Sequence, residues 1–183
     1  INRWALMRNS YTENIQEHSH MTAVLAHALA VIRNQFFDGR VDEGQVAVAA
    51  LYHDAGEILT GDMPTPVKYK NEALRSAYKA VEQESARLMA SLQPEALRSE
   101  TEEFLTGRVL NDAERKILKA ADRLSALIKC LEECQSGNRE FEAAREQQLA
   151  ALHGMDCPEA EYFITHMLPC YTQNLDELTR GRF

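Results

Sequence analysis

Along almost the whole chain, apolar residues recur at the i, i+3, i+4, i+7 spacing of helices packed on one face, and the alternating β-branched pattern of a strand is missing. The pattern predicts an all-α helical bundle. A first long helix is expected over Asn14 to Phe36, with Ala23, Leu25, Ala26, Leu29 and Ile32 on its buried side and Asp38-Gly39 at its end. A second starts at Asp42, an N-cap with Gln45 at the capping-box position, and runs through "VAVAALYHDAGEIL" to Leu59, where Gly61 and Pro64 stop it. "TGDMPTPVK" reads as a rigid loop lying across that helix end, because its two prolines fix φ and withhold N–H donors. A third helix spans Asn71 to Leu92. Pro94 opens a stretch, "PEALRSETEEFLTGR", that reads as irregular. Asp112 then caps the helix "AERKILKAADRLSALIKCLEEC", Gly137-Asn138 closes it, and two more helices are joined around Pro158. No repeat, linker or low-complexity tract interrupts the pattern, so residues 1–183 are expected to form a single domain.

Composition narrows the partners. At 45% hydrophobic, a chain of 183 residues can bury a real core. Its formal net charge of -8 offers no basic footprint for a DNA or RNA polymer, so any nucleotide partner is expected to be small. No apolar run approaches the roughly 20 residues that cross a bilayer, and no charged-then-apolar leader opens the chain. No membrane partner is expected, and the expected compartment is the cytoplasm. The start at Ile1 instead of Met suggests that an N-terminal piece precedes it. Cys130, Cys134, Cys157 and Cys170 lack the close CxxC pairs of a zinc ribbon and are expected to be reduced thiols.

The candidate chemistry lies in "LYHDAGEILTGDMPTPVKY", residues 51–69, where an apolar helical run ends in His53 and Asp54 with Glu57 one turn on. On one helix, His53 and Asp54 can touch a single ion at their shared edge, and Glu57 projects near the same spot. Each residue has an ordinary explanation by itself, since a lone buried histidine is usually a hydrogen-bonded core residue. Two distant residues change the balance. His18 stands on the apolar helix "ENIQEHSHMTAVLAHALA", and Asp122 interrupts the core-facing run "KILKAADRLSALI". Burying Asp122 without a partner would be costly, and a shared cation removes that cost. Two histidines and two carboxylates make a mixed N/O set suited to Mn, Fe, Co or Zn rather than Ca or Mg. One divalent metal ion is therefore expected, bound by His18, His53, Asp54 and Asp122, with room for water and a substrate oxygen. His20 lies about 200° round the helix from His18, and His27, His153 and His166 lack a matching carboxylate pattern.

The pattern His18, His53-Asp54, Asp122 resembles that of the HD-domain metal-dependent phosphohydrolase superfamily, over nearly the whole chain. "INRWALMRNSYTENIQEHS", "LYHDAGEILTGDMPTPVKY" and "KAADRLSALIKCLEE" are similar to its bacterial 5'-deoxynucleotidase branch. The resemblance implies an HD-domain fold, a homodimer, and hydrolysis of deoxyribonucleoside 5'-monophosphates to deoxyribonucleoside and phosphate by metal-activated water. It implies that Arg3 orients the substrate phosphate, that Trp4 beside it shapes the nucleoside pocket, and that Asp54 and Asp122 lie against the substrate as well as the ion. Asp62, Met63, Pro64 and Thr65 would line the nucleotide site, with Asp62 near the deoxyribose and close packing excluding a 2'-hydroxyl. Glu57 would act as acid or base. Two alternatives remain: an HD phosphohydrolase of another nucleotide or phosphate ester, and a catalytically silent nucleotide-binding module.

Overall fold

The computed structural model describes residues 1–68 and 70–180, apart from the side chain of Thr65. Among the described residues there is no β-strand, and the one isolated bridge pairs Asn2 with Asn14. The helices are α1 (Ile15–Phe36), α2 (Glu43–Tyr52), α3 (Glu57–Thr60), α4 (Thr65–Lys68), α5 (Glu72–Ser91), α6 (Glu95–Leu105), α7 (Asp112–Gln135), α8 (Glu142–His153), α9 (Pro158–His166) and α10 (Leu175–Thr179). The core forms where α1, α2 and α7 meet, with Leu25, Leu29, Val46, Ala50, Ile117, Leu124 and Leu127 buried among them. α8 and α9 close it with Leu152 and Phe163, while α5 and α6 pack together as a pair beside it. Among the described residues no helix is long and apolar enough to cross a membrane.

Five expectations need correction. The helix expected to run unbroken to Leu59 stops at Tyr52, and residues 53–56 form a turn before α3. There the backbone switches to i→i+3 bonds: Ala55 N–H donates to the Tyr52 carbonyl, and Glu57 N–H to that of Asp54. Gly56 makes the tight turn possible against α5, since a Cβ there would stand 3.4 Å from the Glu82 carbonyl oxygen. The segment after Pro94 is a helix, α6; Pro94 occupies its N-cap, where a missing N–H costs nothing. None of its residues is fully buried, so it lacks the deep apolar stripe that advertises a helix. The long C-terminal helix breaks after His166 into a short 3-10 turn, Leu168–Thr172, at Pro169. The loop expected over 60–68 contains the short helix α4.

The fifth correction moves a cap. α7 is capped by Asn111, not Asp112: the Asn111 side chain accepts from Glu114 N–H, and the Glu114 carboxylate accepts from Asn111 N–H. Glu114 is buried and also accepts from Asp42 N–H and Gln45 Nε2, so this box joins the starts of α7 and α2. Asn111→Ala is expected to cost about 1 kcal/mol or more in denaturant unfolding, and Asp112→Ala much less. Equal losses would contradict the assignment.

Candidate metal centre

Three helical segments bring the four expected ligands together. His18 lies in the second turn of α1, fully buried. Its Nε2 stands 3.1 Å from Asp122 Oδ1 on α7 and 3.5 Å from Asp54 Oδ2 in the turn after α2. His53 Nε2 is 3.3 Å from Asp54 Oδ2 and 4.0 Å from Asp122 Oδ1, and the two imidazole centroids are 5.3 Å apart. One ligand atom each from His18, His53 and Asp54 fits within 4.8 Å, the spacing expected around a single ion. Asp122 is 40% exposed, which opens the cluster to solvent on that side.

The ring orientations are fixed from behind. His53 Nδ1 lies 2.7 Å from the Ala50 carbonyl, which can only accept, so Nδ1 carries the proton and the neutral ring presents a lone pair at Nε2. That Nε2 is buried without a hydrogen-bond partner, as a metal-ligating nitrogen would be in the absence of its ion. His18 Nδ1 lies 3.1 Å from Ser125 Oγ, which leaves its Nε2 for the cluster. The donor set therefore fits a divalent ion.

Charge tells the same story. Burial pulls the His53 imidazolium down, but the Asp54 and Asp122 carboxylates and the Ala50 carbonyl push it up to about 9. Burial likewise opposes ionisation of Asp54 and Asp122, yet the two histidines hold both carboxyls below the usual range. The two carboxylates thus favour positive charge between them, as protons or as a metal.

Glu57, at the start of α3, is buried, and its Oε2 has no hydrogen-bond partner. Burial, reinforced by the negative charges of Asp54 and Asp62, pushes its carboxyl up to about 8 against the positive charges of Arg3 and Lys68. The charge of Arg3 therefore acts on both Glu57 and Asp122. Its side chain is mostly buried, with Nη1 3.6 Å from Glu13 Oε2 and with Nε and Nη1 lacking hydrogen-bond acceptors. Trp4 donates from Nε1 to Glu13 Oε2 at 2.9 Å and packs on the buried Phe141, so it is an anchor of the N-terminal arm as well as a neighbour of Arg3. Asp62, Met63 and Pro64 are half-buried just past Gly61, whose carbonyl accepts from the Tyr78 hydroxyl; the Thr65 side chain lies outside the described residues. A cavity of about 300 Å³ opens beside His53, Asp54 and Glu57 toward α5 and α6, reaching Lys68, Glu82 and Phe104. Trp4, Met63 and Pro64 do not line it.

Ser125 and Thr22 were not anticipated, although each sits one helical turn beyond a ligand, after Asp122 and His18 respectively. His20, His27, His153 and His166 are exposed and apart from the cluster, and all four cysteines are free.

The model of the family described as 5'-deoxynucleotidase YfbR-like matches residues 1–171. The chain is 42% identical over 179 residues to a 5'-deoxynucleotidase of Vibrio atlanticus, covering 98% of this chain and 92% of that one. It is 43% identical over 180 residues to the 5'-deoxynucleotidase YfbR of Shigella boydii and to that of Escherichia coli, covering 98% of this chain and 90% of each. The crystal structure of an HD-domain phosphohydrolase from Listeria innocua superposes with a TM-score of 0.82 at 24% identity, covering 98% of this chain and 86% of that one, and shares the fold.

Because its pKa lies at about 9, His53 holds a proton at neutral pH when no metal is present, and a bound ion must displace it. Metal loading at pH 7 is expected to release that proton. Apparent affinity is expected to rise up to about tenfold per pH unit from pH 7 until the His53 pKa is reached, then to level off. Calorimetry in buffers of differing ionisation enthalpy reads the release, and affinity that stays flat with pH in this window would remove His53 from the ligand set.

Proposed function

The chain belongs to the 5'-deoxynucleotidase YfbR-like family of HD-domain phosphoric monoester hydrolases, and from that premise we propose that it cleaves deoxyribonucleoside 5'-monophosphates to deoxyribonucleoside and phosphate. The observation that carries the proposal is the clustering of ligand atoms of His18, His53 and Asp54 within 4.8 Å, with Asp122 Oδ1 3.1 Å from His18 Nε2 and the charge of Arg3 acting on Glu57 and Asp122. His18, His53, Asp54 and Asp122 would hold one divalent ion. Bound there, such an ion supplies a Lewis acid that lowers the pKa of water toward neutrality and offsets phosphate charge.

The remaining work falls to the chain's own groups. Arg3 carries the buried donors Nε and Nη1, and a guanidinium fork suits the equatorial oxygens of a phosphate. Asp54 and Asp122, at the mouth of the cluster, would flank that phosphate. Glu57 moves the proton. With its carboxyl near 8 it is protonated at pH 7 and can deliver a proton to the leaving 5'-oxygen; made more acidic by a nearby cation, it can instead take one from the attacking water. Asp62 would meet the deoxyribose, with Trp4, Met63, Pro64 and Thr65 around the nucleoside, and close packing there would reject a 2'-hydroxyl. The proposal extends to a homodimer in the cytoplasm, and light scattering tests the assembly.

Phosphate release from dAMP, AMP and dATP, assayed in turn with Mn, Co and Mg, tests the substrate. Release from dAMP and not AMP is expected. Release from dATP alone would point to another HD phosphohydrolase, and release from none to a silent binding module. His53→Ala and Asp54→Ala are expected to lose both metal and turnover. Glu57→Ala is expected to keep metal and nucleotide while kcat falls by about 10²- to 10⁴-fold; full activity in that variant would refute the assigned proton transfer.

A further inference from the structure

Arg3 and Trp4 sit on an N-terminal arm, residues 1–14, that contains no helix. A buried ion pair on α7, beyond Asp122 and Ser125 on the same helix, holds this arm down. Lys129 and Glu133 lie one turn apart on α7, 3% and 0% exposed, with Nζ 2.5 Å from Glu133 Oε1. The bonds they make beyond each other run to the arm or to its clasp. Lys129 Nζ donates to the Tyr11 carbonyl at 2.7 Å and lies 3.5 Å from the centroid of the Tyr11 ring. Glu133 accepts from Ser10 N–H, at 2.9 Å to Oε2, and from Asn138 Nδ2 at 2.8 Å. Asn138 Nδ2 also donates to the Arg8 carbonyl at 2.7 Å. Burial alone would raise the Glu133 carboxyl, but these donors hold it at about 2.

From those pins the arm closes back on Arg3. Trp4 packs on Phe141, ring centroids 5.4 Å apart, and Phe141 also lies 5.7 Å from Lys129 Nζ. Glu13 Oε2 accepts from Trp4 Nε1 and pairs with Arg3 Nη1, while Arg3 N–H donates to the Glu13 carbonyl. Trp4 has φ +60°, a backbone conformation that a bulky residue holds only where its surroundings enforce it. Apolar residues of like volume would fill the interior of α7 at less desolvation cost than an ion pair. They could not grip the backbone of a loop.

We infer that the buried Lys129–Glu133 pair is a positioning element for substrate binding, fixing the 1–14 arm so that Arg3 meets the substrate phosphate at the metal centre. The inference rests on the reading of Arg3 as the phosphate-binding residue. Glu133→Gln keeps the side chain's shape and drops its charge, and Asn138→Ala removes one tether from a half-buried site, so the second decides the matter alone if the first does not fold. In both, metal binding is expected to match wild type. kcat/KM for dAMP is expected to fall about tenfold in Glu133→Gln and about fivefold in Asn138→Ala, and each loss to shrink to about twofold or less in an Arg3→Ala background, as coupled sites do. Equal losses with and without Arg3, or unchanged kcat/KM in the single variants, overturn the inference. Wild-type activity in Arg3→Ala by itself overturns the role of Arg3, and this inference with it, whatever the Glu133 variants do.

Discussion

His18 is fully buried, so neither ring nitrogen can turn to water, and other parts of the chain must supply the partners. Ser125 meets Nδ1, while Asp122 and Asp54 meet Nε2. These contacts require α1, α7 and the turn after α2 to hold one register. The apolar core holds it, since Leu25, Leu29, Ala50, Leu124 and Leu127 pack on the same three helices. Packing and site are therefore one construction: a slip of α7 by a single residue would swing Asp122 and Ser125 off the face toward α1 and leave His18 buried without partners.

The turn at 53–56 is the local device that completes the cluster. A continuous helix would set His53 and Asp54 about 100° apart. In the turn after α2, Asp54 Oδ2 lies near both imidazoles, and the Ala50 carbonyl catches His53 Nδ1. Gly56, with no side chain to clear, lets the turn lie against α5, and α3 restarts with Glu57 pointing inward.

Much of this was legible in the sequence because burial and polarity conflict there. His18 and Asp122 stand in apolar helical faces, and such a conflict is resolved either by a local hydrogen bond or by a shared ion; four such residues on three helices favoured the ion. What periodicity missed follows from its blindness to backbone choice. It could not see the break after Tyr52, because residues 53–59 keep helical spacing while their hydrogen bonds tighten. It undervalued α6, which buries none of its residues fully. It preferred Asp112 to Asn111 as a cap because both residue types cap well, and only the Glu114 partner decides. Lys129 and Glu133 look like an ordinary i, i+4 surface pair in sequence; their burial depends on an arm more than a hundred residues away.

The charge arrangement explains why a third acid can sit so close to a phosphate site. Asp54 and Asp122 are held ionised and would together offset the divalent ion proposed there, which would leave Arg3 as the balance of positive charge for an incoming phosphate dianion. An ionised Glu57 would repel that dianion. Without an ion, burial and the charges of Asp54 and Asp62 push the Glu57 carboxyl up to about 8, so at neutral pH it presents a proton instead of a negative charge. Anything that moved Arg3 away would remove one of the two positive charges that pull Glu57 toward ionisation, and its carboxyl would rise further. Under the proposed roles, the arm that carries Arg3 would bear on the protonation of Glu57 as well as on the grip on phosphate.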